Sequence, residues 1–346
     1  MFDLPLLTLW DITAGSPAMD VAKPFLRIRT FSFMPMLISF VGFSTFRGLM
    51  DVKLSAQIAL LSNLVLMALD PIFIHVFKFG ARGAAMAALS GDILAASIYI
   101  KLLRAKNLIP IKKLTRLPSW SSIAPLLKGG VSLQVRSFAY NLTMLTVARV
   151  IQSMDDSGIV PAAHALAMQT FMLGSIAMGA LGSATQTLVP NAMAQTGIDG
   201  DATADTPCYA HRLVKRLFVL GTSLGLDIGL IQMLLLPTLL SSSPLAEVRE
   251  AARIPALIAC AFQCVNGMVN VGEGVLMGSG NFTWLSFNSV IAALGYFGAL
   301  QVLPQKFGLT GVWISSALFS LLRLAGVIVH LFLKNPLATP PTKAAA

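Results

Sequence analysis

Long apolar segments recur along the whole chain, and short polar stretches separate them. Most approach the roughly 20 residues that an α-helix needs to cross a bilayer. The pattern predicts nine such segments, at about 26–46, 54–77, 83–103, 122–150, 160–188, 212–239, 250–278, 283–303 and 311–333. The fourth is the least apolar, because it contains Lys128, Arg136 and Arg149. We therefore expect an all-α integral membrane protein.

Composition agrees with lipid as the main solvent of this chain. Hydrophobic residues make up 55% of it and charged residues only 12%, against about a quarter charged in an ordinary soluble domain. A net charge of +10 would suggest nucleic-acid binding in a soluble protein, but here the basic residues lie mainly where the chain leaves the apolar segments. The expected partner is the bilayer, and no nucleic acid is expected.

The basic residues also predict an orientation. When successive loops alternate between the two sides, one side carries 14 Lys and Arg and the other carries 8. The positive-inside rule then places the basic loop 101–128 and the C-terminus on the cytoplasmic or equivalent side.

Two short patterns recur at nearly the same offset. FGARG at 79–83 matches FGLTG at 307–311, 228 residues later, and RGLMD at 47–51 matches MGSGN at 277–281, 230 residues later. Each pair occupies the same place relative to the apolar segments. This order indicates a duplicated helix bundle, in which the first three helices correspond to the last three and the helices between 122 and 239 have no partner.

The repeat predicts a division of the chain into a lobe, a linker and a second lobe. Residues 1–104 would be the C-terminal part of a first lobe, with three helices, and 122–334 a second lobe with six. Residues 105–121 would be a basic cytoplasmic linker, and 335–346 a C-terminal tail. The complete architecture would have twelve helices, with the remaining three preceding Met1. We expect the short chain alone not to transport.

Motifs along almost the whole chain resemble the multidrug and toxin extrusion (MATE) family, and specifically its DinF-like branch. They are 25–29 (FLRIR), 46–51 (FRGLMD), 70–74 (DPIFI), 83–87 (GAAMA), Arg136, Ala148-Arg149, 162–164 (AAH), 186–188 (QTL), 274–278 (GVLMG), Asn281-Phe282 and 311–314 (GVWI). The resemblance implies a two-lobe bundle with about nine of twelve helices present. It also implies secondary active transport: a drug, organic anion or metabolite leaves in exchange for inward H⁺ or Na⁺. No cofactor or metal is implied. The resemblance does not decide whether the protein lies in the plasma membrane or in a plastid envelope.

Glu273 is the first candidate for cation coupling. An ionisable residue inside a transmembrane helix costs about 2.5–3.5 kcal/mol on insertion scales, so it indicates a function or a structural partner. Gln263, Asn266 and Asn270 precede it by 10, 7 and 3 residues, on the same helical face. A buried carboxylate among amides can bind and release a proton, and we expect these amides to line the substrate cleft.

Two acids in the first half are further candidates for coupling. Asp70 matches an acid that the family uses, often with Asn four residues earlier, but here that position is Leu66 and the nearest amide is Asn63. Asp92 lies in the middle of an apolar segment with small neighbours. It is either a titrating site or one partner of a structural ion pair.

Arg136 and Arg323 are the candidate cations of the cleft. A buried arginine can hold an anionic solute by bidentate hydrogen bonds. It can equally pair with Glu273. The residues alone do not separate these two roles.

Other classes of function fit the sequence less well than transport. An intramembrane enzyme would need clustered metal-binding or catalytic groups, whereas the four histidines are scattered, at positions 75, 164, 211 and 330. His164 lies near a helix start and is as well explained by packing. An enzyme is therefore not expected. A lipid flippase of the wider superfamily and a non-transporting remnant stay as alternatives.

Overall fold

The computed structural model describes residues 17–108, 119–155, 157–198 and 206–334, and no strand occurs among them. The helices are α1 Pro17–Gly48, α2 Val52–Pro71, α3 Ala81–Ala105, α4 Trp120–Gln152, α5 Ile159–Ile198, α6 Thr206–Leu234, α7 Leu236–Leu240, α8 Ala246–Ala261, α9 Gln263–Gly278 and α10 Phe282–Lys334. One π-helical turn, Ile72–Val76, directly follows α2. The all-α prediction is confirmed.

Each predicted apolar segment lies mostly in helix. Among the described residues, six helices are long and apolar enough to cross a membrane, and there are seven if the bent pair α8 and α9 is counted as one span. Helix α4 is not among them, in keeping with its three basic residues. Helix α10 has 53 residues and is interrupted at Gly308. A helix of 53 residues would extend about 80 Å, more than twice the roughly 30 Å hydrocarbon core of a bilayer, and the break at Gly308 lies between the predicted segments 283–303 and 311–333.

The prediction of one continuous helix over 250–278 is wrong. Helices α8 and α9 meet at an angle of 45° with Phe262 between them. Helix α6 packs closely there, because Gly225 and Gly229 present no side chain to the carbonyl oxygens of Gln263 and Cys260. An apolar pattern cannot reveal such a break, since residues on both sides of it remain apolar.

The described residues divide into two compact units between 108 and 119. Unit 1 holds α1–α3, and unit 2 holds α4–α10. The division falls within the predicted linker 105–121. Residues 109–118 of that linker and the predicted tail 335–346 lie outside the described residues.

Unit 1 is built around α3, which packs against both α1 and α2. Its small core includes Phe46 and Tyr99, whose ring centroids are 6.0 Å apart. Close approach depends on glycine at two points: Gly42 faces the Tyr99 ring, and Gly91 lies against the backbone oxygen of Ser62. The predicted small face of α3 therefore serves helix packing, as such faces commonly do in membranes.

Unit 2 is built around α9, which packs against α5, α6 and α10. Helix α4 packs mainly against α10, and α8 against α5. The α4–α5 connection is short and is held by Asp155, whose carboxylate accepts hydrogen bonds from the Ser157 hydroxyl and from the backbone N–H of Ser157 and Val160. These bonds lower the pKa of Asp155 to about 2.

The repeated glycine pattern has the same backbone geometry in both units. Gly80 has φ 55° and ψ −133°, and Gly308, 228 residues later, has φ 56° and ψ −137°. This combination is essentially restricted to glycine. Three residues after each, Gly83 and Gly311 lie against the backbone of the preceding helix end, at Phe73 and Leu303 respectively.

The second repeated pattern also matches. Met50 has φ 62° and Gly280 has φ 76°. Asp51 N–H donates to Phe46 O at 2.9 Å, and Asn281 N–H donates to Leu276 O at 2.9 Å. These are the six-residue bonds of a helix end closed by a left-handed residue. Two turns with equal geometry at both offsets support the internal repeat.

Candidate functional site

A cavity of about 420 Å³ lies inside unit 2. Residues of α4, α5, the α8–α9 pair and α10 line it. Its lining includes Arg136, Tyr140, Met144, His164, Met168, Phe171, Met172, Asn266, Asn270, Glu273, Trp313, Phe319, Ser320 and Arg323. Its volume is in the range of small-molecule sites.

Three charged side chains form one end of the cavity. The Glu273 carboxylate lies between two guanidinium groups: Arg323 Nη2 and Nε are 2.7 and 2.9 Å from Oε1, and Arg136 Nη2 contacts Oε2. Only 7% of the Glu273 side chain is exposed, against 25% for Arg136 and 16% for Arg323. With all three groups ionised, this charged cluster carries a net charge of +1.

Close helix packing places Glu273 at this point. On one side of it, Gly272 lies against Val327 of α10, and on the other Gly274 lies against Gly182 of α5. A side chain at either glycine would push α9 away from its neighbours. The flanking glycines in the sequence therefore hold the carboxylate within reach of α4 and α10.

The predicted amides form a continuous hydrogen-bonded chain along α9. Gln263 Nε2 donates to Gln232 Oε1 at 3.2 Å, Asn266 Nδ2 donates to Gln263 Oε1 at 3.2 Å and to Ser175 Oγ at 3.0 Å, and Asn270 Nδ2 donates to Asn266 Oδ1 at 2.9 Å. Asn266 and Asn270 line the cavity. Gln263 is fully buried and does not, so its predicted place in the cleft is corrected to a place in the wall, at the bend.

The opposite end of the cavity is aromatic. The rings of His164 and Trp313 have centroids 5.7 Å apart, and Phe171 meets Trp313 edge-on at 6.1 Å. Sequence reasoning set His164 aside and did not select Trp313 as a site residue. The signal for both was present in the AAH and GVWI motifs, which the structure brings together.

The other predicted coupling residues, Asp70 and Asp92, belong to unit 1, whereas every residue of the cavity belongs to unit 2. Asp92 accepts a hydrogen bond from Arg29 at 3.2 Å, with 27% and 35% of the two side chains exposed, so the paired arrangement is the one observed. Asp70 Oδ1 is buried with no hydrogen-bond partner among the described residues. Asn63 donates to Ala59 O at 2.8 Å, and the structure thus gives it no role at Asp70.

Among the described residues, no group of three or more His, Cys, Asp or Glu side chains is placed to hold a metal ion. The organised chemistry of unit 2 is a charged cluster, an amide wall and an aromatic end around one cavity. Such an arrangement has the chemistry to accommodate a solute with a charged and an apolar part.

Comparisons of sequence show which proteins the chain is similar to. No protein-family model matches it. It is 26% identical over 323 residues to Protein DETOXIFICATION 43 of Arabidopsis thaliana, covering 92% of this chain and 58% of the relative. It is 27% identical to the probable multidrug resistance protein NorM of Rhizobium meliloti, covering 85% of this chain and 64% of the relative. The chain thus spans about three fifths of the length of these curated relatives.

Comparisons of structure identify the fold. A variant of the Vibrio cholerae MATE transporter VcmN superposes with a TM-score of 0.80 at 16% identity, covering 97% of this chain and 75% of that one. A transporter from Pyrococcus furiosus, described as a member of the MOP superfamily with reversed polarity of its binding pocket, gives 0.76 at 19% identity, covering 93% and 70%. The fold is that of the MATE transporters. The resemblance stated from the motifs is confirmed at this level, and the DinF-like branch stays a prediction.

Proposed function

We propose, since this chain is an integral membrane relative of the MATE transporters and has their fold, that it takes part in cation-coupled antiport and exports an organic solute. The similarity to DETOXIFICATION and NorM proteins favours this over a lipid flippase or a non-transporting remnant. It also gives no support for an enzyme. The solute site is the cavity of unit 2.

The charged cluster carries this proposal. Two partly buried guanidinium groups, on Arg136 and Arg323, share one carboxylate. Their excess positive charge attracts an anion and repels an organic cation. Because guanidinium groups bind carboxylates bidentately, the cluster suits a solute that carries a carboxylate or a similar anionic group.

The coupling ion is a proton in this proposal, with Glu273 as its site. A sodium ion at Glu273 would meet two positive charges within hydrogen-bonding distance of the same carboxylate, at a Coulomb cost that water screens poorly in a buried site. A proton instead neutralises the carboxylate. The cluster then changes from a net +1 to +2.

Protonation of Glu273 has two opposed effects on an anionic solute. The greater positive charge alone would strengthen anion binding. However, the carboxylate is also the group that holds Arg136 and Arg323 together, and without its charge the two guanidinium groups repel each other. Antiport requires that the proton and the solute exclude each other, so in this proposal loss of the arginine geometry outweighs the gain in charge.

Glu273→Gln tests the proposal because glutamine approximates the protonated carboxyl. Full-length protein with two complete lobes is purified and reconstituted in proteoliposomes, and pH-gradient-driven export is measured for two anions, citrate and cinnamate, and for tetraethylammonium. We expect export of at least one anion, none of the cation, and loss of the driven export in Glu273→Gln together with about tenfold weaker anion binding. The matched control is Glu247→Gln, an exposed acid near the start of α8, which should behave as wild type.

Three results would contradict the proposal. Unchanged pH-driven export by Glu273→Gln would remove Glu273 from the coupling step. Tighter anion binding by the same variant would show that charge, not arginine geometry, controls affinity. Export of tetraethylammonium in preference to both anions would assign the cavity to a different class of solute.

A further inference from the structure

We propose that the aromatic end of the cavity is a second recognition site, which binds a planar ring carrying a hydrogen-bond acceptor, so that the exported solute is an aromatic organic anion. Only the statement that the solute is exported rests on the proposed function. The binding site itself rests on the geometry of unit 2.

An unpartnered donor identifies this end of the cavity. Trp313 is 5% exposed, yet its Nε1 has no hydrogen-bond partner among the described residues, and neither does Nδ1 of the adjoining His164. Buried tryptophan N–H groups usually find an acceptor, and one without it carries a desolvation cost of about 1–3 kcal/mol. Trp313 lines the cavity, so an acceptor atom of a bound molecule can take the place of water at this N–H.

The other described tryptophans show what is unusual about Trp313. Trp284 Nε1 donates to Gly326 O at 3.0 Å, and Trp120 is 73% exposed and open to its surroundings. Neither lines the cavity. The unpartnered buried indole is thus found at the place where a solute would enter.

The walls around this donor favour a planar ring. Phe171 lies edge-on to Trp313 and His164 lies tilted against it, which leaves aromatic faces and edges for a further ring to pack against. Met144, Met168 and Met172 complete the apolar lining. Thioether side chains adapt to ring edges and make favourable sulfur–aromatic contacts.

The two ends of the cavity are far enough apart to bind different parts of one solute. Trp313 and Arg323 lie on the same helix ten residues apart, which corresponds to about 15 Å along the helix axis. Ser316 and Ser320 line the cavity between them. An acid of cinnamate length could bind both ends, because its carboxylate would lie at the arginines and an acceptor on the far side of its ring would lie at Trp313.

Binding of three matched acids tests the inference on purified protein in detergent. The probes are 4-methoxycinnamate, cinnamate, which lacks the distal acceptor, and 2-octenoate, which lacks the ring; affinities are measured by isothermal titration calorimetry. We expect affinity to fall in that order. Trp313→Phe keeps a ring but removes the N–H donor. It should therefore lower the affinity for 4-methoxycinnamate about tenfold and leave the affinity for cinnamate unchanged. Trp284→Phe is the control and should change neither.

Equal affinities of wild-type protein for cinnamate and 4-methoxycinnamate would overturn the inference, and this comparison needs no variant to fold. An equal loss for both probes in Trp313→Phe would also overturn it, because it would assign Trp313 to packing alone. Binding of both cinnamates without any pH-driven export would contradict the proposed function and support the recognition site. Driven export of citrate with no cinnamate binding would support the proposed function and contradict the aromatic recognition site.

Discussion

Units 1 and 2 share the geometry of their helix connections but not their chemistry. Gly80 and Gly308 have φ values of 55° and 56°, and three residues later Gly83 and Gly311 make equivalent close contacts. The charged residues do not correspond: the residue 228 after Asp92 is Ser320, and the residue 230 before Glu273 is Phe43. The difference indicates that a duplicated scaffold kept the constraints on its backbone, while the charged side chains diverged.

The ion pairs of the two units differ in the same way. In unit 1 a single arginine, Arg29, meets Asp92, and both side chains are partly exposed. In unit 2 two arginines meet one carboxylate that is 7% exposed. Half-exposed pairs contribute little to stability, whereas removing one partner from a buried pair leaves an uncompensated charge.

The largest predicted effect concerns these ion pairs. Arg323→Met should lower the free energy of unfolding by about 3 kcal/mol, because the buried Oε1 of Glu273 loses both of its charge-assisted hydrogen bonds even though Arg136 still compensates the charge. Arg29→Met should lower it by about 1 kcal/mol or less. Thermal unfolding of both variants in the same detergent measures the comparison. Similar losses in the two units would show that burial does not distinguish the pairs.

Much of the charged cluster could be predicted from the sequence, since Arg136, Glu273 and Arg323 stand out as ionisable residues within apolar segments. The pairing among these three residues could not be predicted, because sequence spacing gives no distance between α4, α9 and α10. Trp313 was missed for the opposite reason. A tryptophan in an apolar segment is unremarkable until the structure shows its N–H buried without an acceptor.

The fold shows the same limit of prediction. The lengths of the apolar segments predicted where the long helices lie, and the recurrence of glycines predicted the equivalent turns. The bend at Phe262 was not predicted, because it arises where the glycines of α6 allow close contact and where buried Gln263 joins the amide chain. These are contacts between residues far apart in sequence.

The second prediction concerns that amide chain, which belongs to unit 2. A Cβ at Gly174 would lie 2.3 Å from Nε2 of the fully buried Gln263, which donates hydrogen bonds to Phe171 O and Gln232 Oε1 and would have to give them up to move. Gly174→Ala should therefore destabilise the protein by about 1–3 kcal/mol. A Cβ at Gly179, on the same helix, would have nothing within 4 Å of it, so Gly179→Ala should stabilise the protein by about 0.5–1 kcal/mol.

Thermal unfolding of the two alanine variants provides the measurement. Because both substitutions are glycine to alanine within α5, the helix-propensity gain cancels in the comparison. A Gly174→Ala variant as stable as Gly179→Ala would mean that Gln263 moves away without loss, and that the amide chain does not fix the bend.

The smallest predicted effect uses the one difference between the equivalent turns that close α1 and α9. Met50 has φ 62° and Gly280 has φ 76°, and both turns make the same backbone hydrogen bonds. A left-handed conformation costs a residue with a side chain about 1–2 kcal/mol, but glycine loses about 0.5–1 kcal/mol more chain entropy on folding. Met50 therefore carries a small strain that Gly280 avoids.

Exchanging the two residue types should change stability in opposite directions. Met50→Gly should raise the free energy of unfolding by about 0.5–1 kcal/mol, because relief of the left-handed strain exceeds the entropic loss. Gly280→Ala should lower it by about 1 kcal/mol, since nothing within 4 Å opposes a Cβ there and only the backbone conformation is unfavourable. Gly298→Ala, at a helical glycine with equally open space, controls for adding a methyl group and should not destabilise the protein. If Met50→Gly destabilised the protein instead, the side chain of Met50 would contribute more by packing than its backbone loses, and the two turns would be equivalent in geometry but not in energy.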